Sequence, residues 1–384
     1  MRACFPTGAA VSLAELAADP YPVYARLRAV EPLSYLPALG MWYATRYDDV
    51  RAMLHDPRFV TDWPGSPIEA TFGRQMLTSE GVDHRRFRSA AQPAFMPSGL
   101  RKHLEAAIAQ AAATLVKGFA DKGAAELRQG FAARLPVQTM LLALELPLAH
   151  EQDVRRWFDI FERSLANFAG DAELAAGGRE AALAFDAFLA TRLIGNNSPL
   201  HARLAESLTP AEVRRNLAII FFGGISTVEA LILNTLWALA RHPAVATRLA
   251  ADPALLPRVI DETVRWLGPV QSATRHVALD LTWNGIALAA GDTVNCMIAA
   301  ANHDPAMFPD PECFDIDRRN LTAHLGFAAG HHLCIGFRLA RLEAAVAVAS
   351  LLDLPNFQLM TDDHPGPHGH DFRQPRTLWA AWHA

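Results

Sequence analysis

The sequence predicts a mainly α chain with a minor, segregated β region, the α+β class. Three observations carry that expectation. Ala- and Leu-rich stretches repeat apolar residues at helical spacing over most of the chain, and strand-like runs are few and short. Of the 384 residues, 51% are hydrophobic, enough for a large core. No long Pro/Gly/Ser linker divides the chain, so one domain over 1–384 is expected.

In chain order, amphipathic periodicity predicts helices over 12–30, 100–120, 151–168 and 180–193. Short runs at 33–39 and 41–45 read as strands, and Gly195-Asn196-Asn197-Ser198-Pro199 reads as a loop between helices. Residues 210–241 form the most apolar helical stretch. Within it 217–240 is long enough to span a bilayer, yet Glu229 sits near its middle, where a carboxylate is costly in lipid. A buried central helix, apolar all round, is the expectation. Strands are predicted at 279–283 with 286–288 and at 357–359, and a helix at 337–352. Pro and Gly crowd 308–336, and an irregular stretch that long in a compact domain points to a functional site.

Charge is near balance, with 35 Lys+Arg against 40 Asp+Glu and no basic tract, which argues against nucleic acid as a partner. Cys4, Cys296, Cys313 and Cys334 show no paired spacing, so a reducing cytoplasm is expected rather than a disulfide scaffold. The N-terminal Met1-Arg2-Ala3-Cys4-Phe5-Pro6 lacks the features of a signal peptide. A cytoplasmic protein without a membrane anchor, acting as a monomer, is the reading.

The irregular stretch ends in Phe327-Ala328-Ala329-Gly330-His331-His332-Leu333-Cys334-Ile335-Gly336, followed by the helical run from Phe337. A cysteine just before a helix start sits where unpaired N–H groups and the positive dipole end stabilise anionic sulfur. Gly330 and Gly336 let the backbone wrap closely around a flat partner. Phe327 can cover the sulfur and limit water. Two other fates stay open for the residues alone. One is an inert core cysteine; the other is a zinc site from His331, His332, Cys334 and Cys313, which lacks the paired close spacings of structural zinc.

This segment resembles the cytochrome P-450 family, whose pattern F-x-x-G-x-H-x-C-x-G is met at Phe327, Gly330, His332, Cys334 and Gly336, with Ala328 where Gly is common. The resemblance implies a cytochrome P-450-like fold, with a long central helix over the haem. It also implies haem b (iron protoporphyrin IX), with Cys334 as thiolate ligand of the iron and His332 at a propionate. Glu262-Thr263-Val264-Arg265, about 70 residues earlier, matches the family's E-x-x-R motif, a buried structural pair. Cys313 stands where the family often adds an Arg, leaving Arg318 or Arg319 to compensate. Arg275, and His84 with Arg88 in an H-x-x-x-R helix, complete a cationic set for the two propionates.

On the central helix, Gly223-Gly224-Ile225-Ser226-Thr227 resembles the family's oxygen-activating segment. By that resemblance Gly223 and Gly224 make room for dioxygen and Thr227 hydrogen-bonds it. Ser226 departs from the pattern, because an acid is usual there to relay protons, and Glu229 on the next turn is a substitute. The Arg-Pro pair of the family's fatty-acid peroxygenases is absent from this helix. An apolar pocket is expected from Trp63, Pro64, Ile68, Phe72, Ile219, Phe222, Val270 and Leu378, with Gln271, Ser272 and Gln374 as polar contacts.

The implied function is a monooxygenase acting on a small hydrophobic substrate. Its electrons come from a separate ferredoxin and reductase, docked on charge from Arg85, Arg86, Arg101, Lys102 and Arg338. A peroxide-driven oxidase, an isomerase and a non-enzymatic haem sensor are the rival readings.

Overall fold

The computed structural model describes residues 5–63, 66–98, 102–165, 167, 171–360 and 366–383, with no account of the side chains of Lys102 and His103. Cys4, Pro64 and Arg101 lie outside the described residues. The chain divides into two compact units, with 1–61, 233–334 and 361–377 in the first and 62–232, 335–360 and 378–384 in the second.

The first unit holds a five-stranded sheet. Its order is Leu33–Leu36, Met41–Ala44, Thr293–Cys296, Ala273–Val277 and Phe59–Val60. The first two strands form an antiparallel hairpin with Leu33 opposite Ala44. Met41–Ala44 pairs parallel to Thr293–Cys296, and Arg275 is held opposite Val294 in the next pairing. Leu281–Trp283 and Ile286–Leu288 make the separate hairpin expected from sequence. Trp42, Phe59, Val277, Val294 and Phe308 form the core beside the sheet.

The predicted helix over 12–30 is broken. Pro20 cannot continue a helical ladder, so Leu13–Ala18 and Tyr21–Val30 are separate helices. Ser12 starts the first through a reciprocal cap with Glu15.

The second unit is mostly helical, with a three-stranded sheet in the order Ala124–Glu126, Trp379–Ala381, Gln358–Met360. Helix Ala172–Arg192 starts earlier than the predicted 180, because the Asp171 carboxylate accepts from the N–H groups of Glu173 and Leu174. Helix Leu135–Ala143 escaped prediction because it is buried nearly all round and shows no polar face to set a period. Phe158, Phe161, Phe185 and Phe221 pack ring on ring at 5.0 to 6.4 Å in this unit's interior.

The central helix runs Pro210–Arg241, as expected. The chain passes from the second unit to the first within it, after Ile232. By length and composition it could cross a membrane, but 83% of its most apolar window is buried in protein. Between Phe308 and Gly336 the chain makes only two short 3-10 turns, Leu321–Ala323 and Gly330–His332. The helix after the cysteine loop is Phe337–Leu352.

Candidate active site

In the first unit the cysteine loop hangs from a buried ion network. Glu262 and Arg265 lie one turn apart on helix Leu256–Trp266, both fully buried and paired at 2.7 Å. Arg265 donates onward to the carbonyls of Asn302, Pro311 and Cys313. The stretch that begins the irregular segment is thereby tied to the helix. Where the third basic residue was missing at Cys313, Arg318 fills in. Its Nε reaches Glu262 at 3.2 Å and its other nitrogens cap the carbonyls of Pro309, Asp310 and Cys313. Arg319, the other candidate, is exposed.

Farther along, the loop lies tight against its neighbours at two glycines. A Cβ on Gly326 would meet Val264 Cγ1 at 2.2 Å, and one on Gly330 would meet the Leu54 carbonyl oxygen at 2.2 Å. Gly330 also has φ +72, so only glycine fits. Ala328, where glycine was expected, adopts φ 58. The loop closes on itself through the Cys334 N–H, which donates to the Phe327 carbonyl at 2.9 Å. Cys334 is half-buried, whereas Cys296 is fully buried and its thiol is pushed up to about 11 by burial, and Cys313 is exposed.

These features fit a haem-thiolate loop better than zinc. Among the described residues Cys334 joins no group of three His, Cys, Asp or Glu ligand atoms close enough for one ion. His332 is buried, with Nε2 3.2 Å from the Thr61 hydroxyl. Arg275 is buried on strand Ala273–Val277, a fixed cation of the kind that a propionate would meet.

In the second unit, His84 is buried on helix Gly81–Ala91, and Arg88 follows one turn later on the same face. The two glycines of the central helix do different work. Nothing lies within 4 Å of a Cβ built on Gly223, which faces open space, whereas one on Gly224 would meet Met140 Sδ at 2.8 Å. Gly224 therefore makes room for helix Leu135–Ala143, whereas Gly223 leaves open space. Thr227 donates its hydroxyl to the Gly223 carbonyl at 2.6 Å. Ile219 and Phe222 are buried, and Phe222 packs on Phe72 at 5.5 Å.

Glu229 is engaged elsewhere, its Oε1 bound to Arg128 Nε at 2.6 Å. The carboxyl beside Ser226 is Glu162, from helix Glu151–Leu165, hydrogen-bonded to the Ser226 side chain. Burial raises the pKa of both Glu162 and Glu229, each partly offset by Arg128. Neither Arg128 nor Glu162 falls in a motif, so only the packing of three elements reveals this cluster.

Val270 is half-buried and bridges Phe372. Gln374 is buried and pairs with His368. Gln271 is buried, and its side-chain amide donates to the Gly268 carbonyl at 2.9 Å. Arg85 and Arg338 are exposed, and Arg86 is held by Glu212 at 2.6 Å.

A cysteine in a glycine-bounded loop ahead of a helix, together with a central helix opened at one glycine, defines a haem-thiolate protein. The chain belongs to the cytochrome P450 family, whose model, described as Cytochrome P450, matches residues 142–376. It is 33% identical to the cytochrome P450 monooxygenase PikC of Streptomyces venezuelae, over 88% of this chain and 84% of that one. It is 31% identical to the vitamin D(3) 25-hydroxylase of Pseudonocardia autotrophica, over 89% of this chain and 88% of the relative. Among solved structures, CalO2 superposes with TM-score 0.87 at 29% identity, covering 98% of both chains. A myxobacterial P450, CYP267B1, solved with myristic acid, does so at 0.87 and 31%, covering 97% of this chain and 100% of that one. The fold is that of a cytochrome P450, the cofactor is haem b, and the protein is an oxygenase.

Proposed function

We propose that this protein is a monooxygenase that inserts one atom of O2 into a small hydrophobic substrate. Its electrons come from a separate ferredoxin and ferredoxin reductase, and it works in the cytoplasm. The observation that carries the reading is the cysteine loop. It is closed by the Cys334–Phe327 hydrogen bond and pressed onto Leu54 at Gly330.

When bound, haem b supplies the thiolate-ligated iron at which dioxygen is reduced and cleaved. Cys334 would hold the iron, and Arg275, His332, His84 and Arg88 would hold the propionates. Phe327 would limit water at the sulfur, and Gly336, beside whose backbone a built Cβ meets nothing within 4 Å, would leave the approach open. Gly223 would provide space for dioxygen, and the Thr227 hydroxyl a hydrogen bond to it. Glu162, whose carboxyl burial holds above the ordinary carboxylate range, would relay protons through the Ser226 hydroxyl, the service an acid at position 226 would perform. Ile219 and Phe222, buried on the central helix, would contribute apolar surface to the substrate pocket.

Cys334→Ala tests the reading. It should abolish the red-shifted carbon monoxide band of thiolate ligation, whereas Cys296→Ala and Cys313→Ala should keep it. A band that persists in Cys334→Ala would end the assignment.

A further inference from the structure

Within the second unit, three helical segments line a half-open cavity of about 390 Å³. Pro67–Phe72 with Gly73 supplies one wall, Ala172–Arg192 a second, and the first turns of the central helix a third. Arg179, Leu183 and Asp186 follow one another at helical spacing on the second wall, and Ala211, Arg214 or Arg215, and Ala218 do so on the third. Four of the lining residues, Ala70, Ala182, Ala211 and Ala218, are small, and Phe72, also in the lining, is buried.

The charge is lopsided. Three guanidinium groups, Arg179, Arg214 and Arg215, line the cavity against one carboxylate, Asp186, in a protein whose formal net charge is −5. Arg214 spends its charge on Asp186 at 2.8 Å. Among the described residues Arg179 and Arg215 have no ion-pair partner, and both are exposed.

Gly73 sets the place of Arg215. It adopts φ +72, and a Cβ there would stand 3.0 Å from Arg215 Nε and 3.1 Å from its Cδ. A side chain at 73 would be strained and would displace the guanidinium from the cavity mouth. At the rim Leu183 is 73% exposed, an apolar lip beside the cations. At the inner end Phe72 packs on Phe222, which the reading above gives to the substrate.

We propose that this cavity receives an amphiphile with an anionic head, a carboxylate or a phosphate monoester. The head lies between Arg179 and Arg215, and the apolar chain runs toward Phe72. The inference rests on the monooxygenase reading only in taking the bound molecule as a substrate. Guanidinium groups suit both oxyanions, since they pair in a planar, two-pronged way.

The test is calorimetric titration of the haem-loaded protein with laurate, dodecyl phosphate and uncharged dodecanol, below their aggregation concentrations. Laurate, dodecyl phosphate or both should bind roughly tenfold tighter than dodecanol or better, and which of the two binds identifies the head group. In Arg179→Gln/Arg215→Gln the three ligands should bind alike. Asp186→Asn, which frees Arg214, should strengthen the anions and leave dodecanol unchanged. Equal affinity for acid and alcohol in the wild type, or an anion preference that survives the double substitution, would overturn the proposal. The carbon monoxide band is recorded on the same samples. A normal band without anion preference removes this inference alone, and a missing band removes the haem-thiolate reading instead.

Discussion

Arg318 reaches Glu262 across 56 residues of sequence, its Nε 3.2 Å from the carboxylate that also binds Arg265. One buried anion thereby joins two buried cations and gathers five backbone carbonyls, of Asn302, Pro309, Asp310, Pro311 and Cys313, into a fixed path toward the cysteine loop. Removing one partner leaves uncompensated buried charge, at a cost of about 3–5 kcal/mol. Glu262→Ala and Arg318→Ala should each give protein with little haem and a much lower urea midpoint. Arg319→Ala, at the exposed neighbour, should leave both quantities unchanged. Full haem content in Arg318→Ala would show that the network is not what holds the loop.

Gly223 and Gly224 should respond oppositely to the same substitution. Gly224→Ala drives a methyl into Met140 and should destabilise by about 1–3 kcal/mol, as overpacking does. Met140→Ala in the same chain should recover part of the loss. Gly223→Ala meets no neighbour, so stability should hold while oxygen-dependent turnover falls. Thermal melts of the three variants decide it.

Glu343 makes stability depend on pH. It is fully buried on helix Phe337–Leu352, accepts from the Thr139 hydroxyl at 2.9 Å, and is pushed up to about 8 by burial. The folded state thus keeps a proton that an unfolded chain, with a pKa near 4.5, gives up. Stability from this group is complete below about 4.5 and drains away as pH rises to 8. Glu343→Gln stays neutral throughout. Its advantage over wild type should be near zero at pH 4.5 and grow toward pH 8, where it reaches roughly a few kcal/mol. Parallel unfolding curves at all pH values would refute the buried, protonated state.

The Glu162–Ser226 contact carries a prediction about coupling. Glu162→Gln and Ser226→Ala should each lower product formed per reductant consumed and raise peroxide release, as should Thr227→Ala. Peroxide-supported turnover needs less of this delivery and should suffer less. Unchanged coupling in Glu162→Gln would return the role to Glu229.

The sequence alone determined what short range decides. Phe327 to Gly336 carry their meaning in spacing, because a loop that bends around a flat cofactor needs particular residues at particular steps. The central helix and the helix Phe337–Leu352 were legible to their ends for the same reason, a sustained apolar period. Contacts between segments far apart in the chain were beyond it. Nothing near Ser226 in sequence points to Glu162, nothing at Arg318 singles it out over Arg319, and no motif tells Gly224 from Gly223. Each of these was decided by which side chains distant elements bring within a few ångströms, and close packing fixes that set only once the chain has folded.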